Sequence, residues 1–266
     1  MSTGQIAILI DGGYFLKRIR KELAPQYTTT PEQIAKTVRR LCFNHIARIT
    51  GNRGRFWQQH LYRTFFYDAQ PYTGVAHHPI VNRQIEFAKS DLALDRYSLF
   101  EQLRKERKLA LRLGKVNRDH DWALSPRLTK LALKTREQLT PLQGLAAVLD
   151  ADSHNQMVQL QVSTAQAQQL MSALEFWQNL QPGDVSLGLR QKGVDMRIAI
   201  DIASLTLKHQ VSTIVLVAGD SDFVPAAKLA RREGMEFILD PLWQKVNDDL
   251  FEHIDALQSG LQRPVT

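Results

Sequence analysis

A chain of 266 residues, 44% hydrophobic and 23% charged, can bury a sizeable core and does not have a disordered composition. Its formal net charge of +7 favours a polyanionic partner without choosing among RNA, DNA and a membrane surface. The one cysteine, Cys42, excludes an intramolecular disulfide and a cysteine-built zinc site, and its apolar helical surroundings suggest a buried, inert thiol.

The first apolar run, Ile6 to Ile10, ends at Asp11-Gly12-Gly13. It is too short for a signal-peptide core, and nowhere do about 18 apolar residues run uninterrupted. A cytoplasmic protein with no membrane span is therefore expected. A short apolar run bounded by glycine reads as a buried parallel strand. Tyr14 to Leu23 then looks helical, and Pro31 opens a second helix to about Ile49, with Thr30 as its N-cap. The aromatic-rich run HLYRTFFYD reads as a second strand ending at Asp68. Residues 79–105 read as mostly helical and 108–113, KLALRL, as a third strand.

From 116 to 184 the character changes: glutamine-rich, punctuated by Pro126, Pro141 and Pro182, with helical stretches such as Thr164 to Leu180. This segment reads as a helical insertion within a single domain spanning 1–266. The alternation then resumes: a short strand at 185–190, a helix from Val194 to Lys208, and the β-branched run TIVLVA at 213–218. A helix from Ser221 to Glu233, stopped by Gly234, follows. A strand at 235–239 and a closing helix from Asn247 to Leu257 complete the pattern. Strands alternating with helices imply an α/β fold with a mainly parallel sheet.

In such a sheet ligands bind beyond the carboxyl ends of the strands, and several ends here carry an acid. Asp11, Asp68, Asp220 and Asp240 each follow a strand; Asp222 lies two residues past Asp220, and Asp195 starts a helix after Lys192-Gly193. Clustered carboxylates repel one another and are held together by a cation or a proton. Mg²⁺ and Mn²⁺ take oxygen ligands, and phosphodiester hydrolysis is the chemistry that uses them. Asp222 and Asp195 also suit helix N-termini through the dipole alone, and Asp240-Pro241 is a common turn pair. Asp11, directly after a buried strand and before Gly-Gly, is not required there by turn chemistry, which favours a functional over a structural reading.

Three motifs in order carry a resemblance. ILIDGGYF (Ile8 to Phe15) looks like the opening of NYN-domain proteins, the LabA-like branch of the PIN-like nucleases. KGVD (Lys192 to Asp195) followed by Asp201 is similar to that family's central motif, and VAGDSDF (Val217 to Phe223) with Pro225 resembles its third. The resemblance covers residues 5–113 and 185–257. It implies a Rossmann-like sheet and an Mg²⁺ or Mn²⁺ site at Asp11, Asp195, Asp220 and Asp222, with RNA favoured over DNA as substrate. The family's first motif often carries Asn two or three residues after the Asp, where this chain has Gly13 and Tyr14.

Further candidates surround this set. Asp201, about 120° around its helix from Asp195, Lys192 and Asp68 are expected to support the acids. Arg53 and Arg55, beside Phe56 and Trp57, mix cations with aromatics as a single-strand surface does. Lys192 is also placed to reach a phosphate, and Arg127, Lys130, Lys134 and Arg136 fall at near-helical spacing. The adjacent pair His77-His78 diverges in direction and makes a poor metal site. A haloacid-dehalogenase phosphatase needs a second Asp where Gly13 stands, and neither G-x-G-x-x-G nor a Walker A run is present. The expectation is a metal-dependent ribonuclease. The alternative is a non-catalytic nucleic-acid-binding or regulatory module. The insertion remains a candidate surface for a second copy or a protein partner.

Overall fold

A computed structural model describes residues 4–147 and 161–263; residues 148–160 of the expected insertion lie outside the described residues. The elements run β1 (Ile6–Asp11), α1 (Gly12–Glu22), α2 (Pro31–Thr50), β2 (Leu61–Gln70), β3 (Val75–His78), β4 (Arg83–Glu86), α3 (Asp91–Arg104) and β5 (Leu109–Leu124). They continue with α4 (Pro126–Gln138), α5 (Thr164–Gln178), β6 (Val185–Lys192), α6 (Val194–Leu207), β7 (Thr213–Val217), α7 (Val224–Arg232), β8 (Glu236–Asp240), α8 (Asp248–Phe251) and β9 (Ala256–Leu257).

The chain divides into two compact units. One comprises residues 1–74, 86–117 and 190–266, the other Val75–Ile85 and 118–189. Strands β5 and β6 cross the division. Among the described residues the main sheet has seven strands in the order β6-β5-β2-β1-β7-β8-β9. β5, β2, β1, β7, β8 and β9 pair in parallel with their neighbours. The protein is thus a mixed α/β fold with a mostly parallel sheet flanked by helices, as expected from the alternation.

β1 shows why the first unit is layered. Its pleat sends Ile6, Ile8 and Ile10 to one face, where they meet α1, α2 and α3 through Phe15, Leu41 and Leu99. Ala7 and Leu9 face the other way, against Ile198 and Ile202 of α6 and Ala227 of α7. A strand covered on both faces has no polar side to present, hence its uninterrupted apolar run. Local chemistry places the helices. Thr30 and Gln33 cap α2 reciprocally, Pro31 occupies its first turn, and Gly51 ends it at φ 71°. Gly234, with φ 81°, stops α7.

Three sequence expectations are corrected. Residues 79–105 are helical only from Asp91. Before it β3 and β4 form a two-stranded sheet, because Pro79 and the left-handed Asn82 (φ 49°) build the intervening turn. The third strand does not stop at Leu113 but runs to Leu124, so 116–124 is strand and not part of a helical segment. Its partner in the sheet is β6, more than sixty residues away in sequence and therefore invisible to local periodicity. The closing helix is a single turn, Asp248–Phe251. Ala256 and Leu257 instead extend the sheet beside β8, with the Asp255 carboxylate accepting from the Phe237 N–H at 2.8 Å.

In the second unit, Trp177 of α5 donates to the Thr135 hydroxyl of α4 at 3.1 Å. His78 is buried, donating from Nε2 to the Pro182 carbonyl at 3.1 Å, with its ring 4.6 Å from that of Trp122. Among the described residues no helix is long and apolar enough to cross a membrane.

Candidate active site

The strand order reverses direction at β1. From it the chain proceeds outward through β2 and β5 on one side, and through β7 and β8 on the other. In open α/β sheets a crevice forms at such a switch, outside the carboxyl ends of the strands. Asp11 ends β1, and Ala218-Gly219-Asp220 continue from Val217 of β7, which is in register with Ile10.

The backbone there is tightly built. Asp11 accepts from the Tyr14 N–H at 3.0 Å and so caps α1. A Cβ on Gly12 would come within 2.5 Å of both the Phe66 ring and the Tyr67 carbonyl, and one on Gly219 within 2.5 Å of the Tyr14 ring. Each glycine permits an approach that no other residue allows. Asp220 turns its own loop, accepting from the Asp222 N–H at 3.0 Å. Asp195 enters in the first turn of α6, two residues after Gly193 at φ 75° and three after exposed Lys192.

Electrostatics link these acids. Burial foremost, with the charges of Asp195 and Asp68, pushes Asp11 up to about 6. Burial and the charges of Asp220 and Asp222 raise Asp195 as well. Asp11, Asp195, Asp220 and Asp222 make no ion pair among the described residues. Nor do any three His, Cys, Asp or Glu side chains there close into a ready-made metal chelate. The donor chemistry nevertheless fits a hard divalent cation. The set is carboxylate oxygen only, its members repel, and Mg²⁺ ordinarily uses one or two protein carboxylates alongside water and substrate phosphate.

A cleft of about 760 Å³ opens at Asp11 and Asp220. One wall is the face of α1 carrying Tyr14, Lys17, Arg18 and Lys21; the other is the segment Gln244 to Asp248. Sequence reasoning missed Lys17, Lys21 and Lys245. The first two follow Tyr14 by three and seven residues, the spacing of one helix face, and that pattern was readable. Lys245 had no comparable signal, because the expected helix of 247–257 began elsewhere.

The other candidates are placed differently. Asp68 is fully buried, paired with Arg96 and accepting from the Ala69 N–H at 2.8 Å. Burial raises its carboxyl and Arg96 opposes that rise. Asp201 accepts from the Tyr67 hydroxyl at 2.8 Å and pairs with Arg112 at 3.0 Å, and it does not line the cleft. Asp240 is buried and structural, accepting from His45 at 2.8 Å and from the N–H groups of Leu242 and Gly260. Arg53 and Arg55 lie in the loop that enters β2, at the amino ends of the strands and so at the end of the sheet opposite the acids, where Arg55 sits over the Phe56 ring. The structure does not bring them to the cleft. Cys42 is buried in the core, its thiol pushed up to about 12 by burial.

No curated protein and no solved structure matches the chain. The NYN domain family model matches residues 136–255, a stretch that contains Asp195, Asp220 and Asp222 but not Asp11. NYN domains are PIN-like nucleases, so what residues 136–255 share with that family supports a nucleic-acid-directed, nuclease-type role for this chain.

Proposed function

We propose that the protein is a ribonuclease of the LabA-like NYN branch, cutting phosphodiester bonds at Asp11, Asp195, Asp220 and Asp222. The observation that carries this reading is the meeting of Asp11 and Asp220 at the strand-order switch, with Asp195 electrostatically coupled to both sides of the set. Mg²⁺ or Mn²⁺ would be held by these four carboxylates, and when bound supplies a nucleophile at neutral pH and charge neutralisation at the phosphate.

The remaining roles fall to the chain itself. Asp11, fixed by its cap bond to Tyr14, presents a carboxylate that gives up its proton near neutrality. Asp220 and Asp222 share one turn, so a shift in one carries the other. The lysines of the cleft oppose the acids and attract the phosphate backbone. The family match supports nuclease chemistry in general; RNA as substrate and a cytoplasmic setting are part of this proposal.

The test is cleavage of labelled single-stranded RNA and DNA with Mn²⁺, Mg²⁺ or EDTA, beside a variant carrying Asp220→Asn and Asp222→Asn. Metal-dependent cutting by the wild type, abolished in the variant, is the expected result. Binding without cutting by both proteins would move the assignment to a non-catalytic nucleic-acid-binding module.

A further inference from the structure

The segment after β8 is held in an unfavourable backbone conformation. Leu242 and Trp243 are successive non-glycine residues in the left-handed region, at φ 43° and 65°. L side chains enter that region only when surrounding contacts compel it, and such outliers cluster at ligand clamps. The compelling contacts are visible. Arg18 donates twice to the Leu242 carbonyl, at 2.8 and 3.1 Å, and the Tyr14 hydroxyl donates to the Pro241 carbonyl. Asp240 accepts from the Leu242 N–H at 2.9 Å. Two of these residues, Tyr14 and Arg18, belong to the α1 face that walls the cleft. The same face therefore both lines the groove and locks its opposite wall.

The locked backbone leads directly into one of three cations that share the cleft. Lys17 and Lys21 are exposed on α1, and Lys245 is exposed on the clamped segment across from them; all three line the cleft that begins at Asp11 and Asp220. None of the three makes an ion pair among the described residues, whereas Arg18 is bonded to Glu22 and Leu242. A lysine is a compact, strongly hydrated point charge that suits a phosphate without demanding fixed geometry. All three share their cleft with Asp11 and Asp220.

We propose that Lys17, Lys21 and Lys245 form a phosphate track. It would hold the backbone of a single nucleic-acid strand as it leaves the acid site, independently of base sequence. This deepens the nuclease reading and rests on it: the track names the residues that grip the strand flanking the cleaved bond. Contacts of this kind act by counterion release, so they announce themselves in salt dependence.

The experiment uses the full chain carrying Asp220→Asn and Asp222→Asn, so that it binds without cutting. It compares that chain with the same chain also carrying K17Q, K21Q and K245Q. Affinity for labelled single-stranded RNA, with single-stranded DNA in parallel, is measured across a salt series. For single strands each phosphate contact contributes about 0.7 to the log–log salt slope. Loss of three should lower the slope by about 2 and weaken binding about 100-fold at 0.1 M salt. Thermal melting of both proteins establishes that the exposed substitutions leave the fold intact. A slope unchanged by the lysine substitutions overturns the track while leaving the nuclease assignment standing. A slope that falls in R53Q/R55Q instead places the strand at the opposite end of the sheet and also overturns it. Absence of measurable binding to either nucleic acid by the parent chain overturns both readings together.

Discussion

Replacing Asp11 with Asn measures what it costs the fold to hold a charged carboxylate at the end of β1. Asn retains an oxygen that accepts the Tyr14 N–H, so the cap on α1 survives. Only the charge is lost. Burial foremost, with Asp195 and Asp68, raises the Asp11 carboxyl from its ordinary 3.8 to about 6. At about 1.4 kcal/mol per tenfold change in proton affinity, holding the ionised group in the folded chain costs at most about 3 kcal/mol. Asp11 binds its proton more tightly folded than unfolded. Its favourable contribution is therefore complete below about pH 3.8 and is lost as pH rises through about 6. In EDTA, D11N should melt higher than wild type by up to about 5 °C at pH 7.5, with the gap shrinking to a small fraction at pH 4. Added Mn²⁺ should stabilise the wild type and close the gap, since binding to the folded state alone raises its melting temperature. Melting curves at two pH values, with and without Mn²⁺, read all of this. A D11N protein no more stable than wild type at pH 7.5 in EDTA would show that the Asp11 charge is held without cost by its burial and its acidic neighbours, and would refute this reasoning.

Two other substitutions test the scaffold beneath the site. Arg96→Met strips the partner from a fully buried carboxylate, Asp68, at a cost of about 3 kcal/mol. Because burial already raises Asp68, the deficit should be greater at pH 8 than at pH 5. Adding Asp68→Asn should restore most of the loss in a denaturant titration, and no recovery would refute the pairing. Gly12→Ala places a methyl 2.5 Å from the Tyr67 carbonyl, which has no side-chain freedom to yield. A loss of about 1–3 kcal/mol in urea unfolding is expected. Nuclease activity should fall further than stability does, since a shift of about 1 Å at Asp11 can cost about 100-fold in rate.

Much of the fold was legible because its information is local. β1 and β7 are buried on both faces, so their residues form unbroken apolar runs that periodicity detects. Thr30-Pro31 and Gly234 announce a helix start and a helix stop through caps and backbone freedom that act within one turn. β9 and the far half of β5 were not legible. Each exists because a distant strand offers hydrogen-bond partners, and nothing in Ala256-Leu257 or in 116–124 encodes that partner.

The candidate site divides along the same line. Aspartates at strand ends, in GDSD and in KGVD, are a matter of residue type and spacing, and those are written in the chain. The sequence by itself determined the alternation of strands and helices and the identity of the acids worth considering. Only the tertiary structure decided which acids share a charged environment and which are spent on partners, as Asp68 is on Arg96 and Asp240 on His45. It also sent Arg53 and Arg55 to the far end of the strands and brought Lys245 to the cleft that α1 lines. The physical reason is distance along the chain. Burial, repulsion and pairing depend on where non-adjacent segments meet, and in this protein that is settled by the order in which parallel strands join the sheet.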